Sequence, residues 1–279
     1  MKFALYGLHR GSSLDPETLT RRATAAEEAG FESIWVGDHI ALPHQDASGL
    51  GDPRLEALVA LTYLGAITRR IRLGVGVLVL PQRHPVLLAK QLTSIDVLTG
   101  GRLIVGIGVG YVEPELNAFG VSLAERGART DEYLAAMFAL WSETVPAFAG
   151  RWVTFSGIDE QPRPVQVPRP PIIVAGHSDA ALSRALRVGD GWFGWDLDIE
   201  ETTRLLDRMK TLSARVERPA DLGRLEITVK PNSPVDGDLA RRNAAAGVDR
   251  LVLHPESVHD TSIDQLIAHA GEHLVGRSE

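Results

Sequence analysis

The sequence predicts an α/β protein, a (β/α)₈ TIM barrel in which parallel strands alternate with helices, and three observations carry that expectation. Short β-rich runs and amphipathic stretches alternate along the chain, eight of each. The runs Ile71–Leu78 and Leu103–Gly108 are apolar almost throughout, as in parallel strands covered on both faces; one-sided antiparallel strands would alternate. The chain has 279 residues, close to the roughly 250 that such a barrel uses as one unit. A doubly wound open sheet is the competing arrangement.

In order, the strands are expected at Lys2–Gly7, Ser33–Gly37, Ile71–Val77, Leu103–Gly108, Ile172–Ala175, Gly191–Trp195, Leu225–Lys230 and Arg250–His254. The helices are expected over 16–29, 53–68, 84–98, 130–143, 179–188, 199–216, 238–246 and 262–274. Asp15-Pro16 and Asp52-Pro53 each place a capping acceptor before a proline at the first helical position. Gly30, Gly100 and Gly247 stop helices where a left-handed residue is wanted. In the second helix Leu55, Leu58, Val59, Leu61 and Leu64 fall mainly on one side, facing a sheet. Two stretches exceed the minimal repeat: Tyr111–Arg129 after the fourth strand and the proline-rich Pro146–Pro171 before the fifth. Insertions this long in a compact barrel suggest a function such as a lid. No composition shift marks a second domain, so one domain is expected over 1–279.

Composition excludes several classes. The chain is 44% hydrophobic and 23% charged, ordinary for a soluble globular protein. It has no cysteine, so disulfides, thiolate zinc sites and cysteine nucleophiles are ruled out. A net charge of −7 argues against a nucleic-acid-binding face. The N-terminal residues enter a strand directly, and no run approaches the roughly 18 apolar residues of a membrane span. The expected partner is a small molecule, and the expected location is the cytoplasm.

Chemistry in such barrels gathers at the C-terminal strand ends. Those ends carry His9; Asp38-His39; Gly76-Val77-Leu78; Val109-Gly110-Tyr111; Gly176-His177-Ser178; Trp192 to Trp195; Lys230-Pro231-Asn232; and His254-Pro255. Four ends bear histidine, so a metal-dependent hydrolase has to be weighed. However, the first strand lacks the paired histidines such barrels place there, and no His-x-x-x-His helix occurs. Histidine at a strand end is also often a plain hydrogen-bonding residue. No metal site is therefore expected. Gly74, Gly76, Gly106, Gly108 and Gly110 strip side chains from two neighbouring strands, which would let a planar ring approach the backbone; close barrel packing would ask for the same glycines. Gly106-x-Gly108-x-Gly110 is not a dinucleotide fingerprint, because no helix opens at the required spacing. Ser178 opens a helix whose first amides form an anion site, or it merely caps that helix.

Taken together, these motifs resemble the luciferase-like flavin- and deazaflavin-dependent oxidoreductases, most closely their coenzyme F420-dependent branch. The likeness runs through Glu28–His39, Arg70–Val77, Arg83–Gln91, Leu98–Gly110, Arg126–Glu132 and Pro170–Trp192, strongly over residues 1–195 and weakly beyond. It implies hydride transfer between F420 and a small organic substrate. An FMN-dependent monooxygenase is the alternative; a non-catalytic barrel relative and a metallohydrolase stand further off. Asp38 and His39 match the pair beside the deazaflavin ring, with the histidine handling a proton. Gly76-Val77 matches the family's non-prolyl cis peptide, and Gly176, His177 and Ser178 its phosphate loop. Gly108, Val109, Gly110 and Trp192 are assigned with them to cofactor binding; His9, Tyr111 and Trp195 are assigned to the substrate pocket. Trp35 is expected in the core. Arg83, His84, Arg126 and Arg129 are candidates for an acidic cofactor tail or plain surface residues. The sugar-phosphate dehydrogenases of the branch carry a glutamate just after the fourth strand. Tyr111 stands there instead, with Glu113 and Glu115 displaced, which counts against glucose 6-phosphate as substrate. The resemblance also implies a homodimer.

Overall fold

In the computed structural model, which describes residues 1–43, 53–255 and 262–275, eight parallel strands close into a barrel. They are β1 (Lys2–Tyr6), β2 (Ser33–Val36), β3 (Arg72–Val79), β4 (Leu103–Gly108), β7 (Ile172–Ala175), β8 (Gly191–Leu197), β9 (Glu226–Pro231) and β10 (Arg250–Leu253), in that order around the ring. β10 completes the ring by pairing with β1, from Lys2 opposite Arg250 to Leu5 opposite Leu253. The remaining two strands, β5 (Phe148–Ala149) and β6 (Thr154–Phe155), make a small antiparallel hairpin in the insertion before β7.

The surrounding helices are α1 (Pro16–Glu28), α2 (Ala57–Ile67), α3 (Pro85–Thr99), α4 (Glu113–Ala118), α5 (Arg126–Ser142), α6 (Asp179–Val188), α7 (Ile199–Ser213), α8 (Gly237–Ala246) and α9 (Ile263–His273). The expected eight all form, with shifted ends. Asp15 caps α1 by accepting from the Thr18 amide at 2.9 Å. α2 starts at Ala57, because Glu56 supplies the cap to Val59 N at 2.8 Å; the anticipated cap Asp52 lies outside the described residues. α5 begins four residues earlier than expected, at Arg126. α4 is an addition, folded from the first insertion. The proline-rich insertion is pinned at two points. Glu132 accepts the amides of Arg151, Trp152 and Val153, and Asp96 accepts those of Val165 and Gln166.

Two apolar layers hold the fold. The larger lies between sheet and helices; the smaller fills the barrel with Ala4, Tyr6, Trp35, Ile104, Ile173, Phe193 and Val252. The Trp35 indole, fully buried, lies over Gly74 and Gly76, where an added Cβ would come within 2.5 and 2.7 Å of it. At the N-terminal end of the barrel Arg250, also fully buried, bonds Glu32 at 2.8 and 2.9 Å, Thr228 Oγ1 at 3.0 Å, and Glu226. Every guanidinium edge is thus satisfied, as a buried cation requires.

Candidate active site

At the end of β2 the chain passes through Gly37, Asp38 and His39. His39 Nδ1 lies 2.9 Å from Glu115 Oε2, and the same carboxylate accepts the Ile40 and Ala41 amides on Oε1 at 2.6 and 3.2 Å. Glu115 reaches this position because α4 carries it back over the mouth, and it is only 3% exposed. Burial alone would push its carboxyl up; the bonds from His39, Ile40 and Ala41 outweigh that and hold it below the usual carboxylate range. A carboxylate can only accept, so in neutral His39 the proton sits on Nδ1 and Nε2 is the basic nitrogen.

Asp38 behaves differently from its assignment as a catalytic residue. Its side chain is 1% exposed and turned toward β3, accepting Val79 N at 3.0 Å and Arg83 Nη2 at 2.6 Å. Burial pushes this carboxyl up while the Arg83 guanidinium and the Val79 amide oppose the rise. Arg83 in turn bridges to Glu56 at 2.6 Å. The pair ties the end of β3 to β2, so Asp38 is a support under His39; Arg83 is likewise committed to it.

On the other side of the mouth, β1 contributes Tyr6 and leads to His9, β8 contributes Trp195, and β10 leads to His254. The Tyr6 ring meets those of His9, Trp195 and His254 at centroid distances of 5.5, 5.0 and 5.2 Å. Both histidines are buried, and both are pushed down to about 3: His9 by burial and then by Arg10 and Arg54, His254 by burial and then by Arg10 and Lys230. His9 Nε2 accepts from the Gly37 amide at 3.1 Å, and His254 Nε2 accepts from Arg10 Nη2 at 2.7 Å. The Lys230 ammonium sits 5.2 Å from the Trp195 ring centre and bonds Asp196 at 2.5 Å. Asp196 stands at a register shift of β8 with φ of 61°, an uncommon conformation for a non-glycine residue.

The loop after β7 holds Gly176 at φ 122°, with Ala181 Cβ 2.8 Å from where a side chain would start. His177 Nε2 accepts the Trp195 amide at 3.2 Å, and Ser178 Oγ accepts Ala181 N at 3.3 Å. Asp179 at the helix start is paired with Arg208. Trp192, assigned to cofactor binding, is fully buried in the sheet–helix layer, and its indole N–H is spent on the Gly176 carbonyl at 2.8 Å. It braces the loop from behind.

The strand glycines serve close packing rather than a slot. Gly74 and Gly76 make room for Trp35, while a Cβ at Gly106 would collide with the Val75 carbonyl and one at Gly108 would lie 2.7 Å from Val77. Close packing accounts for these four, and side-chain absence there does not make a slot. The Gly76–Val77 peptide is cis, and β3 shifts register against β4 across it, leaving Val77 half-buried at the mouth. Val109 and Gly110, which follow β4, are half-buried, with Gly110 against Val79 and Leu116.

The fold therefore brings together His9, His39, Tyr111 and Trp195 at one end; His39 and Tyr111 meet edge to face at 5.8 Å. Sequence reasoning missed Glu115 as a partner of His39, His254 with Arg10, and Lys230 with Asp196. For Glu115 a signal existed: Pro114 after Glu113 is a helix-start pattern, and one turn of helix redirects the side chain that follows. Among the described residues, no three histidine, aspartate or glutamate side chains form a group that could hold a metal, and no helix is long and apolar enough to cross a membrane.

A phosphate-bearing tricyclic cofactor can be tested against this donor set. The bare Gly176 backbone just before α6, where an added Cβ would meet Ala181 at 2.8 Å, and the neutral rings around Tyr6 suit such a ligand. Comparison with known proteins bears on the same question. A protein-family model described as luciferase-like monooxygenase matches residues 1–272. An uncharacterized protein of Mycobacterium tuberculosis is 32% identical over 279 residues, covering 95% of both chains. An F420-dependent glucose-6-phosphate dehydrogenase of Kineococcus radiotolerans is 32% identical over 235 residues, covering 81% of this chain and 66% of its own. Among solved structures, an F420-dependent secondary alcohol dehydrogenase in complex with an F420–acetone adduct shares the fold, with a TM-score of 0.80, 15% identity and 98% of each chain covered.

Proposed function

The chain belongs to the luciferase-like monooxygenase family, and on that footing we propose that it is an F420-dependent oxidoreductase acting on a small organic substrate. The observation that carries this reading is the His39–Glu115 pair, a half-buried imidazole oriented by a buried carboxylate at the end of a barrel strand. The choice of deazaflavin over flavin is supported by the F420-dependent relative at 32% identity. When bound, a deazaflavin would donate or accept the hydride. His39 would hold or receive the accompanying proton on Nε2, with Glu115 fixing the orientation of the ring. The amides of Gly176, His177 and Ser178 and the first turn of α6 would hold the cofactor's phosphate, with Trp192 bracing them. Val77, Val109 and Gly110 would line the ring system, with Gly76 and Gly108 contributing backbone alone; Tyr111, Trp195 and His9 would line the substrate pocket. Because Glu115 returns to His39, its displacement in sequence carries less weight against glucose 6-phosphate as substrate.

The family description itself favours a second reading, an FMN-dependent monooxygenase on the same loop. Spectral titration with F420 and with FMN, each oxidised and reduced, separates the two. Tight F420 and weak FMN binding is expected; preference for FMN with oxygen consumption would replace the first reading by the second. We further propose a homodimer through α2 and α3, whose Val59, Leu87 and Leu98 are 64, 60 and 74% exposed. Light scattering on the purified chain tests it.

A further inference from the structure

We propose that His9 is a substrate-recognition residue, a histidine locked as an Nδ1–H donor that binds an oxygen acceptor of the substrate: a carbonyl, hydroxyl or carboxylate. The inference rests on the enzymatic reading above and assigns a substrate class to it.

Three observations lead there. First, the tautomer is settled by chemistry. The Gly37 backbone amide can only donate, and it points at His9 Nε2 at 3.1 Å. That nitrogen must therefore carry a lone pair, so the ring's single proton sits on Nδ1. Burial and the neighbouring arginines keep the ring neutral throughout the physiological range. Second, this Nδ1–H is buried and, among the described residues, has no hydrogen-bond partner. A buried unpaired donor is costly, and an apolar side chain would fill the same space without that cost. Third, the place is right. His9 follows β1 at the C-terminal end of the barrel, edge-on to Tyr6, which also contacts Trp195 and His254. His39 is close enough for its charge to act on His9.

His254 shows what the same ring looks like when its role is framework. Its Nε2 accepts from Arg10, so it too carries Nδ1–H, but it is engaged by neighbouring protein groups. His9 is the one of the two whose remaining donor is left unmatched. Lys230 lies 5.2 Å from the Trp195 ring centre and is paired with Asp196, so its charge is already matched within the protein.

The test uses the full chain with ¹⁵N-labelled histidine. The His9 Nδ1–H resonance is followed while acetone, propan-2-ol and acetate are added singly, without cofactor. A saturable shift with at least one probe is expected; none with any of the three, or an unprotonated Nδ1, overturns the proposal. A second arm compares two variants on whichever substrate a screen with bound cofactor returns. In His9→Gln the amide oxygen can still accept from Gly37, but the Nδ1 donor is gone. In His9→Asn a donor stands near the Nδ1 position and the Gly37 contact is lost. H9Q should raise KM about tenfold with kcat and cofactor affinity little changed, and H9N should largely retain wild-type KM. Equal effects of the two variants would make His9 a purely structural residue. If the wild type bound neither F420 nor FMN, the redox reading would fall, while the probe titration would still decide the role of His9.

Discussion

Acid should unfold this protein in a way traceable to two side chains. His9 and His254 are buried at the mouth and pushed from 6.5 down to about 3. Between those values the unfolded chain binds a proton on each ring that the folded chain does not, so stability falls as pH is lowered from about 6.5 toward 3. Each histidine contributes up to about 1.4 kcal/mol per pH unit within that window, and the two together up to ~2.7 kcal/mol per unit. Buried Glu115 and half-buried Glu32 and Glu226 are held below their ordinary values, and their contribution is also lost in acid. However, it is lost only as pH falls below their unfolded value of 4.5, so the interval from pH 6 to 5 belongs mainly to the histidines. The measurement is urea unfolding followed by tryptophan fluorescence at closely spaced pH values. His9→Gln and His254→Gln each leave an acceptor where Nε2 stood and remove the titration. Each should flatten the dependence between pH 6 and 5 by about 1 kcal/mol, and the double variant by about twice that. If both single variants kept the wild-type slope, the neutral state of these rings, and with it the locked tautomer, would be refuted.

Other consequences are equally direct. Glu115→Gln keeps an oxygen for the Ile40 and Ala41 amides but faces His39 with an amide donor. It should move the His39 proton from Nδ1 to Nε2 by ¹⁵N NMR and cost about 1–3 kcal/mol in urea; an unchanged tautomer would separate the two residues. Gly106→Ala sets a methyl against the Val75 carbonyl, which cannot rotate away, so a loss of about 1–3 kcal/mol or more is expected by thermal unfolding. Arg250→Met leaves half-buried Glu32 with only Arg72 and half-buried Glu226 with only Lys2 as cations and should cost about 1–3 kcal/mol, partly recovered on acidification as the carboxyls protonate. Ser178→Ala should weaken cofactor binding by about 1–2 kcal/mol; an unchanged dissociation constant would leave Ser178 as a helix cap alone.

The barrel was legible because its signals are local. Each strand is a short apolar run and each helix carries its own stop or start, such as Gly100 at φ 66° after α3. The site was less so, since its pairings join residues far apart in the chain. Nothing near Asp38 announces that Arg83 and Val79 will claim its carboxylate, and nothing near Glu115 names His39. Trp35 could be placed in the core from its strand, yet only the closed ring shows that its indole fills the space above Gly74 and Gly76. The glycines were correctly noticed as demanded by something; that something is mainly a neighbouring side chain. Trp192 was misassigned for a related reason. Alternate residues of β8 face opposite layers, and it lies on the helix side while Phe193 points inward.

The pairing of β10 with β1 sets a condition on how the chain comes to be folded. The seam joins residues 2 to 5 with residues 250 to 253, so the first strand gains its last partner only after residue 253 has been made. Until then β1 and β9 each present an unpaired edge, and Glu32 and Glu226 wait for the arginine that will sit between them. A chain cut short of residue 250 would carry both open edges permanently and should associate with itself through them.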